Sequence, residues 1–127
     1  MIFLPKKLQS ILFYISEKSN IETGFILAGD NNIIERIFQL TNKNNSSTSF
    51  HIKQDQLKTV GEYCKKNNLE IIGFFHSHVK TTAYPSKQDL KAIENQSYVW
   101  FIYSKLNKNM FAYKYDDSLE SLEIVLT

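Results

Sequence analysis

The sequence predicts a mixed α+β fold in which a mostly antiparallel sheet is flanked by helices. Three observations carry that prediction. Two stretches, Pro5 to about Lys18 and about Asp55 to Asn68, space their apolar residues as one face of a helix. Short apolar runs closed by Gly, Asn and Asp clusters recur along the chain, as strands do. From Tyr98 onward such runs follow one another with only short polar connections, the pattern of an antiparallel meander.

The elements can be justified in order. Ile2 to Leu4 is a short edge strand, and Pro5 suits the first position of a helix, where its missing N–H is not needed. Leu8, Ile11, Leu12 and Ile15 give that helix one apolar face. Glu22 stands at the mouth of an apolar strand, Phe25 to Ala28, closed by the turn cluster Gly29-Asp30-Asn31-Asn32, and Ile33 to Leu40 returns beside it. Asn42 to Ser49 is a polar surface loop, and Phe50 to Ile52 a short strand. In the second helix Leu57, Val60, Tyr63 and Cys64 form the buried face, Asp55 serves as cap and Asn67-Asn68 ends it. Glu70 to Phe75 is a central strand, and the connection from His78 to Pro85 has no regular period. Ser86 then caps a helix that runs to about Asn95, with Asp89 placed to reach back to it. Strands at Tyr98 to Ser104, Met110 to Tyr115 and Leu119 to Leu126 complete the chain. No internal repeat is present.

The 127 residues suit one domain, taken here as residues 1–127, and 43% hydrophobic against 22% charged residues is a globular balance. A net charge of +2 gives no argument for a nucleic-acid or membrane partner. Cys64 is the only cysteine, which rules out an internal disulfide and a cysteine metal cage and fits a reducing compartment. The N-terminus lacks the pattern of a signal peptide, and no apolar run reaches the ~18 residues of a membrane span. A cytoplasmic location is expected.

Chemistry concentrates in Gly73 to Asp89, GFFHSHVKTTAYPSKQD. Side chains alternate along a strand, so His76 and His78 share a face with Cα atoms roughly 7 Å apart, close enough to reach one metal. With Asp89 they make a nitrogen and oxygen donor set suited to Zn²⁺, and three protein ligands leave one position open. Ser86 and Asp89 alone also make an ordinary S-x-x-D helix cap, and spacing leaves both readings open. His51 has no motif around it and reads as structural, Cys64 as a small core residue. Tyr98 to Tyr103 reads as sheet packing, because no basic stripe accompanies its aromatics. Other zinc templates fail: there is no H-E-x-x-H, and one cysteine cannot supply P-C-x-x-C.

His76, His78, Ser86 and Asp89 stand as H-x-H, seven residues, then S-x-x-D, which resembles the signature of the JAMM/MPN (JAB) zinc metalloprotease family. Glu22 in ETGFILAGD resembles that family's upstream glutamate, and the likeness extends from about Glu22 to Ser104. Val79 stands where many members have proline. The short chain also has little room for the insertions with which larger members grip ubiquitin, so the resemblance is to the compact prokaryotic form.

The resemblance implies a single MPN/JAB-type domain of cytidine-deaminase-like architecture, holding one Zn²⁺ on His76, His78 and Asp89. It implies hydrolysis of peptide or isopeptide bonds, with Glu22 as proton acceptor and Ser86 as donor to the oxyanion. The implied substrate is the C-terminal tail of a ubiquitin-like protein, a sulfur carrier or a bacterial modifier, lying extended against a strand edge. Two alternatives stand beside it: an endopeptidase on small peptides, as in phage- or cell-wall-associated relatives, and a non-catalytic scaffold subunit.

Overall fold

The computed structural model describes residues 1–41 and 52–127. Its elements are β1 (Ile2–Leu4), α1 (Lys6–Lys18), β2 (Gly24–Asp30), β3 (Ile33–Leu40), α2 (Gln54–Lys66), β4 (Glu70–His78), α3 (Lys87–Glu94), β5 (Val99–Ser104), β6 (Asn109–Asp116), β7 (Ser118–Leu122) and β8 (Ile124–Leu126). The expected loop Asn42 to Ser49, most of the expected strand Phe50 to Ile52, and His51 lie outside the described residues. No helix among the described residues is long and apolar enough to cross a membrane.

The strands form one eight-stranded sheet in the order β7-β6-β5-β4-β2-β3-β1-β8. Pairing is antiparallel for β2 with β3 and β4, and for β6 with β5 and β7; β4 with β5 and β1 with β3 and β8 are parallel. The expected last strand, Leu119 to Leu126, is two. Only Glu123 separates β7 from β8, yet they lie at opposite ends of the strand order. Residues that close in sequence are at most about 7 Å apart, so the sheet must curl until its two edges approach. The chain leaves β6 and joins β1 at this point, and the Glu123 carbonyl accepts the Ile2 N–H at 2.9 Å.

Both faces of the curled sheet are covered. Phe25, Leu27, Ile34, Phe75 and Phe101 pack with Leu12 of α1, while Ile26, Ala28, Phe74 and Trp100 pack with Val60 and Cys64 of α2 and Ile93 of α3. Cys64 is thus a buried core residue. One irregularity decides what each face carries. Leu27 pairs with Gly73 but Ala28 pairs with Ile71, so Ile72 is an extra residue, a β-bulge. Ile72 and Phe75 therefore face α1 together, and Phe74 turns toward α2 and α3. A one-residue shift moves every later side chain to the other face. The bulge thereby sets the side on which His76 and His78 emerge.

Helix ends differ from expectation in two places. Pro5 is the N-cap of α1 and not its first helical residue; its carbonyl accepts from Leu8 and Gln9. Lys53 is the N-cap of α2, and Asp55 sits inside the first turn, where its Oδ1 accepts the Gln56 N–H at 2.9 Å. A carboxylate there still suits the positive end of the helix dipole. The β2–β3 turn narrows to Asn31-Asn32, both with positive φ (51° and 64°), the two-residue turn whose twist matches paired strands. Asn68, φ 55°, terminates α2 in the same left-handed region, as the Asn67-Asn68 pair predicts.

Candidate metal centre

β4 continues past Phe75 to His78, so both histidines are strand residues; both pair with β5, and on the other side the ladder with β2 ends at His76 opposite Gly24. They point to the α3 face; Ser77 between them points to the α1 side. There Ser77 Oγ accepts the Thr23 N–H at 2.9 Å and lies 3.1 Å from Thr23 Oγ1, which is 2.9 Å from Ser16 Oγ. All three hydroxyl residues are buried. This network, with the Ser77 N–H donated to the Thr23 carbonyl at 3.0 Å, fixes the backbone immediately after Glu22. Sequence reasoning passed over it because each residue alone is unremarkable in type; only the serine between two facing histidines hints at it. Ser77→Ala is expected to leave the Thr23 N–H unpaired in the core and to lower stability by about 1–3 kcal/mol, read from urea unfolding; a change within error would show that the network does not hold the strand ends.

The third donor arrives from α3. Ser86 is the N-cap, its Oγ accepting the Asp89 N–H at 3.1 Å while Asp89 Oδ2 accepts the Ser86 N–H at 2.9 Å, the reciprocal capping box the spacing predicts. The same carboxylate meets the histidines: His76 Nε2 is 3.2 Å from Asp89 Oδ1, and His78 Nε2 is 3.0 Å from Oδ2. The cap and the cluster therefore coexist. His76, His78 and Asp89 each offer a ligand atom within 4.8 Å of the others, a group positioned to bind a metal.

Second contacts orient these donors. His78 Nδ1 lies 2.7 Å from the Thr82 carbonyl, which can only accept, so Nδ1 carries the proton and Nε2 of the neutral ring presents its lone pair. That lone pair faces His76 Nε2 at 3.2 Å as well as the carboxylate. Two imidazole nitrogens and a carboxylate turned on one point repel unless a proton on an imidazole or a cation lies between them, and nitrogen and oxygen donors suit Zn²⁺. The neighbouring carbonyls are also held. Thr81 accepts from Ser104 Oγ at 2.7 Å and Ala83 from Tyr113 Oη at 2.8 Å. Three consecutive carbonyls thus pin the connection from β4 to α3, which bears on Val79: the rigidity a proline lends elsewhere comes here from hydrogen bonds.

The charges follow from this packing. Burial raises the Asp89 carboxyl, but hydrogen bonds from His76, His78 and the Ser86 N–H outweigh it and hold Asp89 well below the usual carboxylate range. Burial depresses His78, and its bonds to Asp89 and Thr82, with the charges of Asp89 and Glu22, leave it raised on balance. Glu22 is 6% exposed. Burial pushes its carboxyl from 4.5 up to about 7, against the pull of His76 and His78. Antiparallel pairing of Gly24 with His76 brings Glu22 to the histidine end of β4. The structure therefore gathers His76, His78 and Asp89 at one point, with Glu22 within their electrostatic reach and Ser86 one helical turn from Asp89.

A curled mixed sheet whose central strand ends in His-Ser-His against a capped helix defines a recognisable class, an α+β domain built around a three-donor group positioned to bind a metal. The chain belongs to the prokaryotic homologs of the JAB domain, whose family model matches residues 5–116. It is 30% identical over 95 residues to a Pyrococcus furiosus protein named Desampylase, covering 75% of this chain and 67% of that one. Among solved structures, protein DSY2949 of Desulfitobacterium hafniense superposes with a TM-score of 0.86 at 26% identity over 100% of this chain and 93% of its own. AF2198 of Archaeoglobus fulgidus, a JAB1/MPN domain protein, gives 0.64 at 17% identity over 100% and 97%, a likeness of fold. The compact prokaryotic JAB form and its mixed sheet are thus as the motif implied.

Proposed function

We propose that this protein is a zinc-dependent isopeptidase or peptidase that cleaves at the C-terminal tail of a ubiquitin-like protein, a sulfur carrier or a small modifier. The observation that carries the reading is the convergence of His76, His78 and Asp89 beside a buried carboxylate, Glu22. Likeness to a protein named Desampylase supports the substrate class.

His76, His78 and Asp89 would hold the zinc, which supplies Lewis acidity and brings the pKa of a bound water to about 7. Glu22 accepts the proton of the attacking water and passes it to the leaving amine. Its burial makes the carboxylate a stronger base than an exposed one. Ser86 uses one hydroxyl lone pair as the helix cap, and a hydroxyl keeps its own proton to give. That proton is available to the oxyanion of the tetrahedral intermediate. The Thr82 carbonyl and the Ser86 N–H hold the donors in orientation.

The test is metal content and turnover together. Purified protein is expected to carry about one zinc per chain by elemental analysis and to hydrolyse a ubiquitin-like protein–peptide fusion, with chelation abolishing turnover and His76→Ala losing the metal. Protein that binds no zinc, or unchanged zinc in His76→Ala, would remove the site; zinc without cleavage would remove the activity.

A further inference from the structure

The connection from β4 to α3 joins two properties that do not ordinarily go together. Lys80, Thr81, Thr82 and Tyr84 are exposed and belong to no strand or helix. Yet the Thr82 carbonyl among them accepts the His78 Nδ1–H at 2.7 Å and so sets how that ring is turned. Water competes for a carbonyl on an exposed segment, and a segment without a ladder has two soft dihedrals at every residue. The aim of this carbonyl therefore needs a source outside the connection.

Two buried hydroxyls supply it. Ser104 ends β5 in register with His78 and is fully buried. Its Oγ accepts the Asn107 N–H at 3.0 Å and lies 2.7 Å from the Thr81 carbonyl, which can only accept, so the Ser104 proton goes to Thr81. Tyr113 on β6 is buried with Ala83 and Ile102, and its Oη donates to the Ala83 carbonyl at 2.8 Å. The Lys105 N–H holds the His78 carbonyl at 2.9 Å, where the connection begins. Because each peptide group is planar, the bonds to Thr81 and Ala83 fix the planes immediately before and after the one that carries the Thr82 carbonyl. Little freedom is left to the plane between them.

We infer that Ser104 and Tyr113 are positioning residues for His78: their hydroxyls clamp the Thr81 and Ala83 carbonyls, which holds the Thr82 carbonyl on Nδ1 and keeps Nε2 turned to the donor cluster. The consequence for zinc rests on the proposed metal site, while the clamp on the ring does not. Outer partners of a ligating histidine are worth ~10–100-fold in metal affinity. Ser104 and Tyr113 act through such a partner, so each is expected at the lower end of that range.

Ser104→Ala and Tyr113→Phe remove one hydroxyl each, and Tyr103→Phe is the matched control. Tyr103 is also buried and neighbours Ser104 on β5, but its hydroxyl bonds Glu17, on α1. Zinc affinity is measured by competition with a chromophoric chelator, stability by urea, and the His78 Nδ1–H by proton NMR. Nδ1 keeps its proton whether or not Nε2 holds a metal, so that signal is read both in zinc and in chelator. Ser104→Ala and Tyr113→Phe are each expected to weaken zinc binding by about tenfold and to move the Nδ1–H signal upfield with faster exchange to water. Tyr103→Phe is expected to lose stability and to change neither. Zinc affinity and Nδ1–H unchanged in both clamp variants would overturn the inference, as would an equal loss in Tyr103→Phe, which would mark the effect as general loosening. A wild type that binds no zinc, with the Nδ1–H in chelator weakened only in the clamp variants, would support the clamp and remove the metal site.

Discussion

Glu22→Gln is expected to lower hydrolysis of a ubiquitin-like fusion by about a hundredfold to ten-thousandfold, the range general-base catalysis supplies, while zinc content stays at the wild-type value. Gln keeps the size and the polar oxygen of Glu but cannot take a proton. Because Glu22 is not among the three clustered donors, its loss separates proton transfer from metal binding, which no substitution at His76, His78 or Asp89 can do. Turnover equal to wild type would take Glu22 out of the mechanism.

The same substitution has an opposite effect on stability. Burial raises the Glu22 carboxyl from 4.5 to about 7 in the folded metal-free protein. Between those values the folded chain holds a proton that the unfolded chain has released, so stability is present in full below pH 4.5 and is lost as pH rises through 7. The full penalty is on the order of 3 kcal/mol at 1.36 kcal/mol per pKa unit. Gln does not titrate. In chelator, Glu22→Gln is therefore expected to resist urea better than wild type at pH 8 and equally at pH 4. A bound cation favours the carboxylate and should narrow the gap at pH 8 when zinc is restored. A wild type more stable than the variant at pH 8 without metal would show that the carboxylate is not penalised by its site. A residue that weakens the empty fold and is relieved by the occupied one is a sign of function.

The clustering of His76, His78 and Asp89 was legible before any coordinates, for a physical reason. Metal ligation and helix capping are short-range demands, and H-x-H followed by S-x-x-D satisfies both within one strand and one helix start. Glu22 lies far from these in sequence, and only the family resemblance singled it out from Glu17 and Glu70. Burial sorts them: Glu22 is buried, Glu70 is exposed, and Glu17 is spoken for by Tyr103 and Lys108. What escaped the sequence is long-range. The break at Glu123 is invisible because Leu122 and Ile124 both point inward and continue the alternation of a single strand. The extra residue at Ile72 hides within the continuous apolar run Ile71 to Phe75, where no alternation exists to be interrupted. Trp100 reads as core on composition, and the structure packs it there against Phe74.

Gly73, beside that bulge, is where the fold and the site share one constraint. A Cβ there would sit 1.9 Å from the Val99 carbonyl oxygen and 2.8 Å from its carbon, both backbone atoms of the paired strand β5. Nothing flexible can give way, so β4 and β5 must separate. Gly73→Ala is expected to destabilise the protein by about 3 kcal/mol or more, the upper end for overpacking, a large part of the 5–15 kcal/mol of an ordinary domain. Gly61 provides the internal control: it lies within α2 with nothing inside 4 Å of its added Cβ, and Gly61→Ala is expected to stabilise by roughly 0.5–1 kcal/mol through helix propensity. Spreading β4 from β5 also moves His76 and His78 relative to Asp89, which is carried on α3. Gly73→Ala should therefore lose zinc at a chelator concentration that wild type withstands, while Gly61→Ala should not. Urea midpoints and zinc retention measured on the same three proteins decide it: if Gly73→Ala matched wild type in both, the close approach of β4 and β5 would not be what aligns the donors.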